Sequence, residues 1–256
     1  MDKNNQYNSA FISDVHLGFL GCKAEQLNEF LNELNCKKLF LVGDIIDFWA
    51  MKENFYWPKE HQKVLDKLKE MQDSGTDVLY ITGNHDDPLR SQEDADKFIK
   101  SDKRFKKIID KANAFKVVDS HIHQSKVQGK ILIIHGDQFD VVTSNIKWLS
   151  KFGGVLYEIL LKFNRPLSKK LKSLTKKTVN KASNFQMNVQ RLCRKEGYKG
   201  LLCGHTHLPQ IKQNIDYVYF NTGDWIEACT AITEDLEGSF ELKSFTNKKS
   251  ALINKL

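Results

Sequence analysis

The chain has 256 residues, 41% of them hydrophobic, and a formal charge of +7, with no Pro/Gly/Ser-rich linker, so one large domain with a substantial core is expected. The polar start, Met1 to Ala10, carries no basic segment leading into an apolar one, and no run of about 18 apolar residues occurs, so neither a secretory signal nor a membrane span is expected. Cys22, Cys36, Cys193, Cys203 and Cys229 are odd in number, scattered and never spaced Cys-x-x-Cys, which predicts reduced thiols, buried as small hydrophobes, in a cytoplasmic protein.

Taken in chain order, Ala10 to Ser13 reads as a short strand ending in Asp14-Val15-His16. Leu27, Phe30, Leu31 and Leu34 recur at helical spacing over Ala24 to Leu34. Leu39 to Val42 is a continuous apolar run closed by Gly43-Asp44, the pattern of a buried strand. A second helix is predicted over His61 to Met71, and a third strand over Asp77 to Thr82, stopped by Gly83-Asn84. This alternation predicts α/β layering, with polar residues placed just past the strand ends. Ile131 to Ile134 reads as a fourth strand ending at His135, and Gly200 to Cys203 as a fifth ending at Gly204-His205. Val218 to Phe220 runs into Asn221-Thr222-Gly223-Asp224-Trp225, and further strands are expected from Ala228 to Phe245.

The stretch from about 141 to 199 departs from this pattern and reads as a helical insertion in the single domain 1–256. Large apolar residues fill Val141 to Phe163, and a lysine-rich helical stretch follows the turn at Asn164-Arg165-Pro166. Between Val141 and Lys199 stand fourteen Lys and Arg against Glu158 and Glu196, a local charge of +12 that leaves −5 for the rest. Such a block points to an anionic partner: a phosphate-bearing substrate, nucleic acid or an anionic membrane surface.

Five apolar strands ending in Asp, Asn or His are the stronger signal. Hydrolysis of a phosphate ester needs an activated water and neutralisation of charge on the phosphoryl oxygens. Two divalent ions ~3.5–4 Å apart supply both. Such ions take carboxylate, amide oxygen and imidazole ligands. Asp14, His16, Asp44, Asn84, His135, His205 and His207 are the candidate metal ligands, with Asp44 the natural bridging carboxylate. Asp47, Asp86 and Asp137 are read either as orienting ligand histidines or as capping loops. His61, His121 and His123 fall outside the blocks and are expected at the surface.

The five blocks, Asp14-Val15-His16, Gly43-Asp44, Gly83-Asn84-His85-Asp86, His135-Gly136-Asp137 and Gly204-His205-Thr206-His207, together resemble the signature of the calcineurin-like metallophosphoesterases. The resemblance implies a four-layer α/β/β/α sandwich. It also implies one metal on Asp14, His16, Asp44 and His207 and a second on Asp44, Asn84, His135 and His205. The catalytic residues it implies are Asn84 and His85, the latter a non-ligand that contacts the phosphoryl group and protonates the leaving oxygen. Ser13 to Gly18, Asp44 to Trp49 and Asn221 to Trp225 are most similar to the UDP-2,3-diacylglucosamine pyrophosphatase group of lipid A synthesis, whose best-known members carry Arg at the position of His85. In that group an insertion between the fourth and fifth blocks forms a lid over acyl chains.

The expected function is therefore a binuclear, metal-dependent hydrolysis of the phosphoanhydride in a nucleotide-sugar lipid. The cofactor pair is expected to be manganese, with zinc or iron as alternatives. The protein is expected to work in the cytoplasm, in peripheral contact with the inner face of the cell membrane. Lys169, Lys172, Lys176, Lys177 and Lys181 would contact phosphates, and Trp148 and Phe152 would shelter acyl chains. A general phosphodiesterase or nucleotide pyrophosphatase is the alternative enzyme, and a catalytically silent metal-binding scaffold the alternative outside catalysis.

Overall fold

The three N-terminal apolar runs become β1 (Tyr7–Ile12), β2 (Cys36–Val42) and β3 (Asp77–Ile81), adjacent parallel strands in register through Ala10 with Leu39 and Phe40 with Leu79. The computed structural model describes residues 6–139, 185, 187–246 and 251–256. Between these strands run α1 (Ala24–Glu33), α2 (Phe48–Glu53) and α3 (Lys59–Asp73). α1 turns Leu27, Phe30 and Leu31 onto the sheet, and α3 turns Val64, Leu65, Leu68 and Met71, each stripe at helical spacing. After β3 come α4 (Gln92–Ser101), α5 (Arg104–Ala112) and β4 (Lys116–Val118), which pairs with β3. Ser91 caps α4 by accepting the Asp94 N–H.

A second sheet begins with the hairpin of β5 (His121–Ser125) and β6 (Gly129–Ile133). After it come a helix over 187–196 (α6), then β7 (Gly200–Cys203), β8 (Gln210–Gln213) and β9 (Val218–Asn221), in the order β5-β6-β7-β9-β8. β10 (Thr230–Glu234), β11 (Phe240–Ser244) and β12 (Ala251–Lys255) return to the first sheet, whose order is β12-β11-β10-β1-β2-β3-β4.

The described residues thus make the expected four layers. Phe11, Phe40, Ile81, Ile133, Leu202, Phe220 and Phe240 fill the space between the two sheets. Phe11 and Phe40 stack there with ring centroids 4.9 Å apart. α1, α3 and α5 cover the outer face of the first sheet. Val189, Leu192 and Cys193 of α6 cover the outer face of the second, against Leu132, Ile134, Leu201 and Tyr219. Two histidines expected at the surface are buried instead: His61 is 3% exposed and His123 2% exposed. His61 accepts the Gly18 N–H at Nδ1, and His123 meets the Glu234 carboxylate between the sheets at 2.8 Å, so each has a polar partner that sequence spacing does not reveal. Lys169, Lys172, Lys176, Lys177, Lys181, Trp148 and Phe152, with most of the expected insertion, lie outside the described residues.

Candidate metal centre

Parallel pairing decides where the site forms. The loops after β1, β2 and β3 leave one end of the first sheet side by side, carrying Asp14, Asp44 and Asn84. β6, β7 and β9 are also parallel neighbours, and their loops carry His135, His205 and His207, and Asp224. Backbone bonds knit the two ends together: Trp225 N–H donates to Asp14 C=O at 3.0 Å, and Gly204 N–H to His135 C=O at 3.0 Å.

Asp14, His16, Asp44, His205 and His207 all adopt positive φ, between +50° and +63°. Among the described non-glycine residues only Cys229 shares that conformation. A left-handed backbone is strained for a side-chain-bearing residue and persists where surrounding structure holds it, so its concentration here marks a functional site. The preceding glycines permit close approach. A Cβ at Gly83 would run into the Asp44 carboxylate, and one at Gly204 into Asp14 and Ser13.

The side chains converge as two sets. Asp14, His16 and His207 bring one donor atom each within 4.8 Å of one another, and Asp44, His135 and His205 do the same. The ring centroids of His16 and His207 are 5.6 Å apart, and those of His135 and His205 5.1 Å. Asp14 Oδ1 is 3.2 Å from His207 Nε2, and Asp44 Oδ2 is 3.1 Å from His135 Nε2. His16 Nε2 and Asn84 Oδ1 are buried atoms without a hydrogen-bond partner, and His135 Nε2, also buried, makes no hydrogen bond although the Asp44 carboxylate is 3.1 Å away. Buried polar atoms are almost always satisfied, so three left open at one place suit a bound cation. Their partners are arranged for that purpose. His135 Nδ1 faces the Val42 carbonyl at 3.0 Å, which places its proton on Nδ1 and the lone pair on Nε2. His16 Nδ1 faces Asp47 at 2.9 Å, with the same result.

The electrostatics agree. Burial opposes charge on His207, yet Asp14 and Asp224 hold its pKa up to about 10. Burial likewise opposes charge on His135, and Asp44 drives it well above the ordinary value. The carboxylates that favour a proton on these imidazoles favour a divalent ion in its place. The residues present therefore fit a metal pair.

The second ring of contacts shows which readings of the paired aspartates apply. Asp47 does both jobs: it holds His16 and His85 Nδ1, the latter at 2.8 Å, and caps α2 through the Ala50 N–H. Asp86 orients backbone rather than histidine, accepting the N–H groups of Asp44, Ile46 and Gly83 and the Tyr80 hydroxyl. Asp137 lies 3.6 Å from Arg90, which also pairs with Asp119 and donates to the Gly83 carbonyl at 2.9 Å. Asp224 lies 3.3 Å from His207 Nδ1 while taking the N–H groups of Ile226, Glu227 and Ala228. The Ser13 hydroxyl donates to the Asp14 carboxylate and meets the Thr222 hydroxyl at 2.5 Å. The contacts of Asp224 with His207 and of Thr222 with Ser13 span 17 or more residues, which no local spacing signals. A groove of about 970 Å³ between α3 and α5 contains none of these groups, and its Lys69, Lys106 and Lys111 are paired with Asp73, Asp110 and Asp66.

His85 belongs to neither of the two sets but groups with His16 and Asp47, one donor atom of each within 4.8 Å of the others. Its N–H donates to Asp44 Oδ1 at 2.8 Å, its Nδ1 is held by Asp47, and its ring is 4.9 Å from that of His16. Burial disfavours a charge on it, but Asp47 and Asp44 outweigh burial and raise its pKa. That suits a proton donor near neutral pH.

The calcineurin-like phosphoesterase model matches residues 7–209, and the chain belongs to that family. It is 26% identical to a UDP-2,3-diacylglucosamine hydrolase of Aliivibrio fischeri over 84% of this chain and 89% of that protein. It is 24% identical to the protein of the same name from Haemophilus influenzae over 91% of this chain and 97% of that one. Among solved structures, vacuolar protein sorting 29 of Cryptosporidium parvum matches with a TM-score of 0.53 at 12% identity, covering 97% and 96% of the two chains. YfcE, a phosphoesterase from E. coli, matches with a TM-score of 0.50 at 16% identity, covering 97% of each. These two likenesses show the fold. The family and the hydrolase relatives make the chain a metal-dependent hydrolase.

Proposed function

We propose that this calcineurin-like phosphoesterase hydrolyses the phosphoanhydride of a nucleotide-sugar lipid of the UDP-2,3-diacylglucosamine type. The observation that carries the substrate is a set of exposed apolar side chains on the loops that bear the site. Phe19 and Leu20 follow His16, Leu208 follows His207, and Trp49 stacks on His85; they are 40%, 77%, 59% and 42% exposed. Large apolar side chains left in water beside a polar centre suit a substrate that is charged at the reacting bond and greasy nearby. The hydrolase names of relatives matched over most of both chains support the same reading. Lys169, Lys172, Lys176, Lys177 and Lys181 for phosphate, Trp148 and Phe152 for acyl chains, and an anionic membrane surface as partner belong to this proposal too.

Asp14, His16, Asp44 and His207 would hold one ion and Asp44, Asn84, His135 and His205 the other, with manganese the first metal to try. When bound, such a pair activates water and neutralises charge on the phosphoryl oxygens. The chain's own residues do the rest. Asp47 fixes His85 through Nδ1, leaving Nε2 to deliver a proton to the leaving phosphate oxygen. Asp224, Asp47 and the Val42 carbonyl keep His207, His16 and His135 in one ring orientation. Asp86 keeps the turn bearing Asp44 in its left-handed conformation.

His85, where the best-known members of the resembling group carry Arg, supports a second reading: a phosphodiesterase or nucleotide pyrophosphatase acting on soluble esters. Incubation with UDP-2,3-diacylglucosamine and its deacylated counterpart separates the two. The lipid reading expects UMP and the acylated sugar 1-phosphate, with the acylated substrate preferred by about 10-fold or more in kcat/KM. Equal rates on both substrates would favour the soluble reading.

A further inference from the structure

His85 is held on more than one side. Asp47 takes its Nδ1 at 2.8 Å, its own N–H is tied to Asp44, and the His16 ring meets it edge-on at 4.9 Å. These contacts fix where the ring is attached and which nitrogen points to Asp47. Trp49 adds a further contact: its ring centroid is 4.4 Å from that of His85, with the planes inclined by 33°, so the indole limits rotation of the imidazole.

Trp49 is itself anchored. It sits in the first turn of α2, whose N-cap is Asp47, so the carboxylate and the indole that touch His85 belong to one rigid turn. Phe48 beside it is fully buried against Phe98 and Phe105, which fixes the turn that carries the indole. At 42% exposure, Trp49 contributes less to the core than a tryptophan can, so packing alone does not account for it.

We propose that Trp49 is a positioning residue for His85: with Asp47 it forms a two-sided clamp that aims Nε2 at the leaving oxygen. This rests on the reading of the site as a phosphoesterase with His85 as proton donor. A misdirected donor can cost about 10²-fold in rate.

Two measurements test it. With manganese and a 2′,3′-cyclic nucleotide, whose leaving alkoxide needs a proton as p-nitrophenolate does not, Trp49→Ala is expected to lower kcat by about 10- to 100-fold with KM little changed, and Trp49→Phe to recover most of the loss. In a His85→Ala background, Trp49→Ala should cost nothing further, because the group it aims is gone. Additive losses, or a raised KM with kcat intact, would overturn the clamp in favour of a structural or substrate-holding role. The second measurement needs no turnover. In the zinc-loaded protein, the ring current of the indole should move the His85 Cε1–H proton resonance upfield, and Trp49→Ala should return it to the ordinary histidine range. A resonance unmoved by the substitution would refute the stacking even if the enzyme proved active. Wild-type protein inert towards every phosphoester would refute the phosphoesterase reading while the resonance still decided the clamp.

Discussion

Removing the Asp86 carboxylate should damage the metal centre without touching a ligand. Asp86 is fully buried and accepts four hydrogen bonds: from the N–H groups of Asp44 at 2.6 Å, Ile46 at 3.0 Å and Gly83 at 2.9 Å, and from the Tyr80 hydroxyl at 2.6 Å. Burial and the nearby Asp86 keep the Tyr80 phenol protonated as a donor, its pKa well above the ordinary value. Asp86→Ala orphans all four donors. At ~1–3 kcal/mol for each buried donor left unpaired, the upper bound is ~4–12 kcal/mol. Relaxation, water entry and relief of a buried charge offset part of that, leaving a net loss of about 3–5 kcal/mol. Against a total stability of ~5–15 kcal/mol, the variant should fold but unfold early in urea. Because two of the freed donors flank the left-handed turn at Asp44, zinc affinity measured calorimetrically should fall as well. Asp86→Asn, which keeps an acceptor oxygen, should lose less on both counts. Asp110→Ala, which removes only an exposed ion pair with Lys106, should cost no more than ~0.5 kcal/mol. Urea midpoints and zinc affinities for Asp86→Ala that match wild type would refute the reasoning.

His85→Ala should slow hydrolysis by about 10²–10⁴-fold while metal stoichiometry stays unchanged, and loss of an ion in the variant would make His85 a ligand. Gly83→Ala drives a Cβ into the Asp44 carboxylate, so metal content, read by mass spectrometry, should fall although the circular dichroism spectrum persists. His61 gives a pH test away from the metals. Burial lowers its pKa to about 4, and the Gly18 N–H it accepts requires a neutral ring. Between pH ~6.5 and ~4 the unfolded chain therefore binds more protons than the folded one, so stability falls as pH falls through that window. The loss reaches about 3 kcal/mol, and His61→Gln should flatten it in urea unfolding series at each pH.

Much of this architecture is legible in the chain because buried parallel strands are continuous apolar runs, and each of Val42, Ile81 and Cys203 gives way within three residues to a glycine and a ligand. Helices α1 and α3 announce themselves through regular stripes. α5 carries Phe105, Ile108, Ile109 and Ala112 at equally good spacing, but its dense lysines obscure the pattern. β4 is three residues long, and β5 buries the polar His123 and Ser125 while exposing Ile122, so neither shows the pattern of a strand. At the site, ligand types and spacing point to metal, whereas orientation does not show in one dimension. His207 and Asp224 are 17 residues apart, and Ser13 and Thr222 are 209 apart; only the pairing of β7 with β9 and the approach of the two sheet ends bring them together. His123 shows the converse, a lone histidine with no motif that is buried because Glu234 on the opposite sheet satisfies it.

The most direct test of the account is a manganese titration of metal-stripped protein, following hydrolysis of bis-p-nitrophenyl phosphate and bound metal together in wild type and Asp44→Ala. A binuclear centre bridged by Asp44 predicts that wild-type activity rises to a plateau as two equivalents bind, and that the variant loses both turnover and metal. Full wild-type turnover in the metal-stripped protein, or an Asp44→Ala variant that keeps two ions and near-normal activity, would contradict it.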